Sequence, residues 1–84
     1  MNKTTRQKPQ DLDIVALLAN RDTSHFETGQ PIRLLKGQIG TVVMEYGDEA
    51  LEVEFTNNDG TTFAMETLPL DAVLLLHDEL LQTP

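Results

Sequence analysis

The sequence predicts an all-β fold, a small five-stranded barrel with a long loop between its first two strands. Two runs rich in β-branched and aromatic residues, 37–46 and 51–56, are separated by a Gly-Asp-Glu-Ala segment, the pattern of an antiparallel hairpin. With 84 residues and 39% apolar content, the chain can form one small domain with one core. We assign that domain to residues 12–79, with a disordered tail at 1–11 and a short tail at 80–84.

The first predicted strand lies in the apolar run 12–19. This run is nearly continuous, which suits a strand buried on both sides and also fits a short helix; we favour the strand. Residues 20–36 are rich in Asn, Asp, Ser, Thr, Gly and Pro, which predicts a long loop with a short extended stretch at 32–35.

The central hairpin has a register that follows from its pattern. If residues 47–50 form a four-residue loop, the large apolar side chains of both strands share one face. The predicted pairs are Tyr46 with Leu51, Met44 with Val53 and Val42 with Phe55. The other face would carry Glu45 directly opposite Glu52, with Glu54 two residues further on, and this arrangement costs stability unless a cation lies nearby.

The next turn is predicted by its own chemistry. Residues 57–61, Asn-Asn-Asp-Gly-Thr, suit a type I turn followed by Gly60 in the left-handed conformation. Pairing Asn57 with Thr61 would place Phe55 opposite Phe63.

Residues 68–70 break the third strand at a proline, and 73–77 form a last strand or one helical turn. Closing this last strand against residues 14–18 would give an SH3-like barrel. Gly37 and Gly40 precede or begin the central strand, where a glycine permits a tight turn, bend or bulge.

Net charge limits the function classes. The chain carries −8 overall, all six basic residues lie in the first 36 positions, and residues 37–84 contain ten acids and no Lys or Arg. Such a surface repels nucleic acid, whose binding depends on cationic contacts to phosphates. No cysteine is present, so disulfides and thiolate sites are excluded. Apolar runs are too short for a secretion signal or a membrane span, which favours a cytoplasmic protein.

No residue constellation predicts catalysis, so we expect no enzyme, no cofactor and no metal site. Ser24 and His25 are sequence neighbours, and their side chains therefore diverge rather than form a nucleophile and base. His25 and His77 lack the close spacing of metal ligands. The glycines at 37 and 40 lead into a strand and not into a helix N-terminus, so they cannot cradle a phosphate.

The stretch Gly-Gln-Ile-Gly-Thr-Val-Val at 37–43, with the motifs at 13–17, 51–55 and 59–60, resembles a family of small stand-alone bacterial and cyanobacterial proteins that is known only as a domain of unknown function. The resemblance covers most of residues 12–77 and implies an SH3-like fold without an assigned activity. Over 37–43 alone, the chain is also similar to KOW modules, the SH3-like units of ribosomal proteins and transcription elongation factors. It differs from the nucleic-acid-binding KOW modules in having no Lys or Arg after the motif.

Two function classes remain. The first is a protein-binding or assembly module that uses its acidic surface toward a basic partner, with Phe26 as an aromatic anchor and Glu45, Glu52 and Glu54 as a charged rim. The second is a KOW-like module associated with nucleic acid through the basic N-terminal tail. The charge distribution favours the first class.

Overall fold

The computed structural model describes residues 8–76, which form seven strands and one 3₁₀ turn. In chain order these are β1 (Ile14–Leu17), β2 (Arg21–Ser24), β3 (Pro31–Leu34), β4 (Ile39–Tyr46), β5 (Ala50–Thr56), β6 (Thr62–Pro69), the 3₁₀ turn Leu70–Ala72 and β7 (Val73–Leu76). The all-β prediction is confirmed. No helix in the described part of the chain is long and apolar enough to cross a membrane.

Five strands form one antiparallel sheet in the order β6-β5-β4-β1-β7, and β2 pairs with β3 separately. The predicted pairing of the first and last strands is confirmed, since Ile14 lies opposite Leu76 and Leu17 opposite Val73. Strands β6 and β7 stand at the two ends of the order. The strand pairs of residues 8–76 therefore leave the sheet open rather than closed into a barrel.

The predicted loop at 20–36 is largely a hairpin, which corrects the sequence interpretation. Its strands β2 and β3 pair from Arg21 opposite Leu34 to Ser24 opposite Pro31. Leu34 is fully buried, and it anchors the hairpin in the core despite the many turn-forming residues around it. The extended stretch expected at 32–35 corresponds to most of β3.

The predicted register between β4 and β5 is wrong by one residue next to the loop and by two residues beyond a bulge. Tyr46 lies opposite Ala50, so the connecting loop has three residues, and Met44 lies opposite Glu52. A register shift between Val42 and Met44 then sets Val42 opposite Val53, as a bulge does by inserting one unpaired residue. Tyr46 and Met44 consequently point to solvent and not into the core.

The turn between β5 and β6 has the predicted geometry. The Gly60 amide donates to the Asn57 carbonyl oxygen at 2.9 Å, the Asn57 amide donates to the Thr61 carbonyl oxygen at 2.8 Å, and Gly60 has φ +89°. The pairing beyond it differs from the prediction, because a second register shift puts Phe55 opposite Ala64 and not Phe63.

The core lies between the inner face of the sheet and the β2–β3 hairpin. Its largest fully buried side chains come from six strands and are Val15, Leu34, Val42, Leu51, Val53, Phe55, Leu68 and Val73. Gly40 is buried among them, opposite Val15 on β1. A Cβ atom built there would lie 2.6 Å from Val53 Cγ1 and 2.8 Å from Phe55 Cε1. Because Gly40 has no side chain, Val53 and Phe55 can pack closely against its backbone. The bulge in β4 lies further along the strand, between Val42 and Met44.

Gly37 serves a turn before β4. The Gln38 amide donates to the Leu35 carbonyl oxygen at 2.9 Å, and Gly37, the third residue of that turn, has φ +89°. A positive φ at this position is the requirement of a type II turn, which favours glycine.

Residues 8–11, which the sequence assigns to a tail, contact the sheet. Lys8 Nζ lies 3.5 Å from a carboxylate oxygen of Glu45 and 3.3 Å from one of Asp48, and Pro9 is buried. Residues 1–7 and 77–84, including His77 and the predicted tail at 80–84, lie outside the described residues.

Candidate functional site

The candidate site is the outer face of β4, β5 and β6, opposite the core. Strand alternation places Glu52 and Glu54 of β5 on this face, because Leu51, Val53 and Phe55 between and beside them are fully buried. Two residues along a strand span about 7 Å. The two carboxylates therefore form a short acidic row.

Glu52 is held by two hydroxyl groups. Thr67 Oγ1 donates to Glu52 Oε1 at 2.6 Å, and the Tyr46 hydroxyl donates to the same oxygen at 3.2 Å. Partial burial, followed by the charge of Glu52 and this hydrogen bond, raises the pKa of Tyr46. The phenol therefore stays protonated at neutral pH and keeps its donor toward Glu52.

Glu54 is oriented in the same way by a single threonine. Thr62 Oγ1 donates to Glu54 Oε2 at 2.6 Å. Each of the two carboxylates thus has one oxygen, Glu52 Oε2 and Glu54 Oε1, without a hydrogen-bond partner among residues 8–76. No Lys or Arg of the described residues forms an ion pair with either glutamate.

Exposed apolar side chains border this acidic row. Met44, directly opposite Glu52, is 52% exposed, and Tyr46 is 43% exposed. An aromatic ring and a flexible thioether beside charged groups are typical of protein interfaces. Sequence reasoning missed both residues as surface groups, because the bulge that turns them outward has no clear signal in the pattern.

Phe26 lies beside β6, an edge strand of the sheet. It follows β2 and is 57% exposed, and its amide donates to the Phe63 carbonyl oxygen at 2.9 Å. Phe63 is the neighbour of Thr62, which holds Glu54. The hairpin connection is itself fixed by His25, whose Nδ1 accepts from the Glu27 and Thr28 amides at 3.1 and 3.3 Å and whose ring meets Phe63 edge-on at 5.3 Å.

Glu45 does not join this group, contrary to the predicted facing of Glu45 and Glu52. It lies opposite Leu51, and its carboxylate accepts from the Asp11 amide at 3.1 Å and pairs with Lys8. Its role in the described structure is to fasten residues 8–11 to β4.

Sequence reasoning also missed the carboxylate of Glu66, which is 7% exposed and lies on the inner face of the sheet. It accepts hydrogen bonds from Arg21 Nε at 2.6 Å and from Thr23 Oγ1. Both donors belong to β2, so this buried charge attaches the β2–β3 hairpin to the sheet. The residues from 8 to 76 contain no group of three His, Asp or Glu side chains arranged to hold a metal ion.

Comparison with known proteins gives a family and no activity. A family model described as a domain of unknown function, DUF4926, matches residues 11–75. No curated protein and no solved structure matches the chain. Because the matched segment spans well over half of the 84 residues, the chain belongs to the DUF4926 family.

Proposed function

We propose that the protein is a small protein-binding module that holds a basic segment of a partner on the outer face of β4, β5 and β6. The observation that carries this proposal is the row of Glu52 and Glu54, each oriented by threonine and each with one oxygen unpaired within the described residues. Threonine donors pre-orient the two carboxylates, so binding a partner's cation would cost little further side-chain entropy.

The surroundings of the row support a protein partner. Tyr46 and Met44 supply exposed apolar contact area beside Glu52, and Phe26 supplies an exposed aromatic ring beside the edge strand β6. Interfaces place such groups centrally, with charges that steer association around them. With a net charge of −8, the whole chain attracts a basic partner at long range.

We further propose an SH3-like architecture for the domain. The strand order β6-β5-β4-β1-β7, the hairpin inserted between β1 and β4, and the 3₁₀ turn just before the last strand support it. The close approach at Gly40 and the bulge that follows are the devices by which a sheet curls toward a barrel.

Removal of the two charges tests the proposed site. Glu52→Gln with Glu54→Gln should weaken binding of the partner about tenfold, since two partly desolvated ion pairs contribute about 1.4 kcal/mol together. The partner is first recovered by pull-down from the native host and identified by mass spectrometry, and its affinity is then measured with purified proteins at several salt concentrations. Glu27→Gln with Asp11→Asn removes the same charge from other exposed positions and serves as the control.

Phe26→Ala tests the aromatic anchor. Because the side chain is 57% exposed, the variant should keep its melting temperature while losing most of its affinity for the partner. A large drop in melting temperature with unchanged affinity would show that Phe26 serves packing alone.

The control for the acidic row gives its own contrary outcome. Equal loss of affinity in the Glu52/Glu54 variant and in the Glu27/Asp11 variant would show that the row is not the binding site.

The alternative, a KOW-like module associated with nucleic acid, needs free cations. Among residues 8–76, Lys8, Arg21 and Arg33 are each paired with a carboxylate, which leaves Lys36 as the remaining basic side chain of that range. We therefore expect no mobility shift of duplex DNA or single-stranded RNA at physiological salt. Binding that weakens steeply with salt would support the alternative and point to Lys3, Arg6 and Lys8.

A further inference from the structure

A second feature, separate from the acidic row, is a cavity between the end of β1 and the 3₁₀ turn. It has a volume of about 160 Å³ and is partly open to solvent. Leu17, Leu18, Leu68 and Ala72 supply its apolar walls, and Arg21 and Asp71 supply charged groups. A space of this size admits one group about as large as benzene.

The two charged residues at this cavity, Arg21 and Asp71, differ in their pairing. Arg21 is already neutralised, since its Nε lies 2.6 Å from the carboxylate of the buried Glu66. Asp71 is exposed, and no Lys or Arg within residues 8–76 forms an ion pair with it. The cavity therefore combines apolar walls with an arginine that is already paired and a carboxylate that has no ion pair among residues 8–76.

We propose that this cavity binds the side chain of a single lysine or arginine of the partner. Both side chains have an aliphatic stem that packs against apolar walls and a cationic head that remains near water. The stem would lie against Leu18, Ala19 and Ala72, which have accessible surface in the lining, and the head would pair with Asp71. An acidic side chain of the same length would meet the Asp71 carboxylate and be repelled.

This inference rests on the proposed function in naming a side chain that a basic partner would insert, yet it is tested without that partner. The probes are three blocked single residues, the N-acetyl methylamides of lysine, norleucine and glutamate. Binding to the full chain is followed by the backbone amide NMR signals of Leu18, Ala19 and Ala72. The lysine probe should give saturable shifts at these positions, the norleucine probe should bind about threefold more weakly for want of the ion pair, and the glutamate probe should bind most weakly.

Two variants identify the cavity as the site. Ala19→Leu adds three carbon atoms to a residue that lines the cavity and should abolish the lysine-induced shifts. Asp71→Asn should weaken lysine to the level of norleucine, whereas the control Glu27→Gln, an exposed acid outside the cavity lining, should change nothing. The spectrum of each variant without probe should match the wild-type spectrum at residues away from the substitution, which shows that the fold is intact.

The outcomes separate this inference from the proposed function. Equal responses to lysine and glutamate, shifts that never saturate, or lysine binding that survives Ala19→Leu would overturn the assignment of the cavity, whatever the Glu52/Glu54 variant does. Saturable, Asp71-dependent lysine binding would support it even if the partner proves indifferent to Glu52 and Glu54.

Discussion

Gly40→Ala should destabilise the protein strongly although it adds a single methyl group. The new Cβ would lie 2.6 Å from Val53 Cγ1 and 2.8 Å from Phe55 Cε1, and both neighbours are fully buried in the core. Neither can move into solvent, so the cost falls at the upper end of overpacking, about 3 kcal/mol. Reduced freedom of the unfolded chain offsets about 0.5–1 kcal/mol. The net loss is therefore about 2 kcal/mol.

Urea unfolding followed by circular dichroism measures this loss. For a chain of this size, with a slope of about 1 kcal/mol per molar urea, the midpoint should fall by about 2 M. Gly37→Ala is the matched control, because Gly37 has φ +89° but no atom within 4 Å of its added Cβ, so that variant loses only about 1 kcal/mol through backbone strain. A Gly40→Ala midpoint at or above that of Gly37→Ala would refute the close-packing argument.

A double-mutant cycle tests the named neighbour directly. Val53→Ala removes the Cγ1 atom that the new methyl group would meet, so the double variant with Gly40→Ala should lose about 1 kcal/mol less than the sum of the two single losses. If the loss in the double variant equals the sum of the two single losses, the Val53 side chain is not what the new methyl group clashes with.

Three further predictions concern turns and pH. Gly60→Val should cost about 1–2 kcal/mol in urea unfolding, because a β-branched residue resists φ +89°; an unchanged midpoint would contradict the turn assignment. Leu12 has φ +73° and is 73% exposed, so Leu12→Gly should raise stability by about 0.5 kcal/mol, and a lower melting temperature would argue against strain there. A hydrogen bond from Arg33, and then its charge, lower the pKa of Asp22. That contribution to stability is present above the unfolded pKa, near 3.9, and is lost as pH falls through the folded value. The melting temperatures of wild type and Asp22→Asn should therefore converge below about pH 4, and a constant difference would exclude the pair.

Local chemistry made part of the fold predictable from sequence. The turn at 57–61 needs only its own residues, since Asp59 Oδ1 accepts from the Thr61 amide at 3.0 Å and Gly60 permits the left-handed conformation. The pairing of β1 with β7 followed from two apolar runs that have few other ways to be buried. In both places the residue pattern within each segment carries the information, even where the two paired segments lie far apart in sequence.

The misjudged features depend on contacts between distant residues. The β2–β3 hairpin has a polar sequence, and its attachment by Arg21 to Glu66 spans 45 positions. The two register shifts, near Val42 and near Phe55, each reverse the alternation that follows, so Tyr46 turned outward and Glu66 turned inward. As a result, sequence reasoning identified Glu52 and Glu54 on the outer face but not the Tyr46 and Met44 side chains beside them.

The division of β4 between two partners has a consequence for the order of folding. Residues 39–41 of β4 pair with β1 and residues 41–46 pair with β5. The β4-β5-β6 meander closes only short loops, whereas the pairing of Ile14 with Leu76 joins the two ends of the domain. Closing the long loop between β1 and β7 costs more chain entropy than closing the short loops of the meander, and this cost precedes the stabilising contacts. We expect the meander to form in the folding transition state and β7 to dock afterward. Val53→Ala should then slow folding, while Val73→Ala should mainly speed unfolding. Stopped-flow kinetics with these effects exchanged would place the nucleus at the chain ends instead.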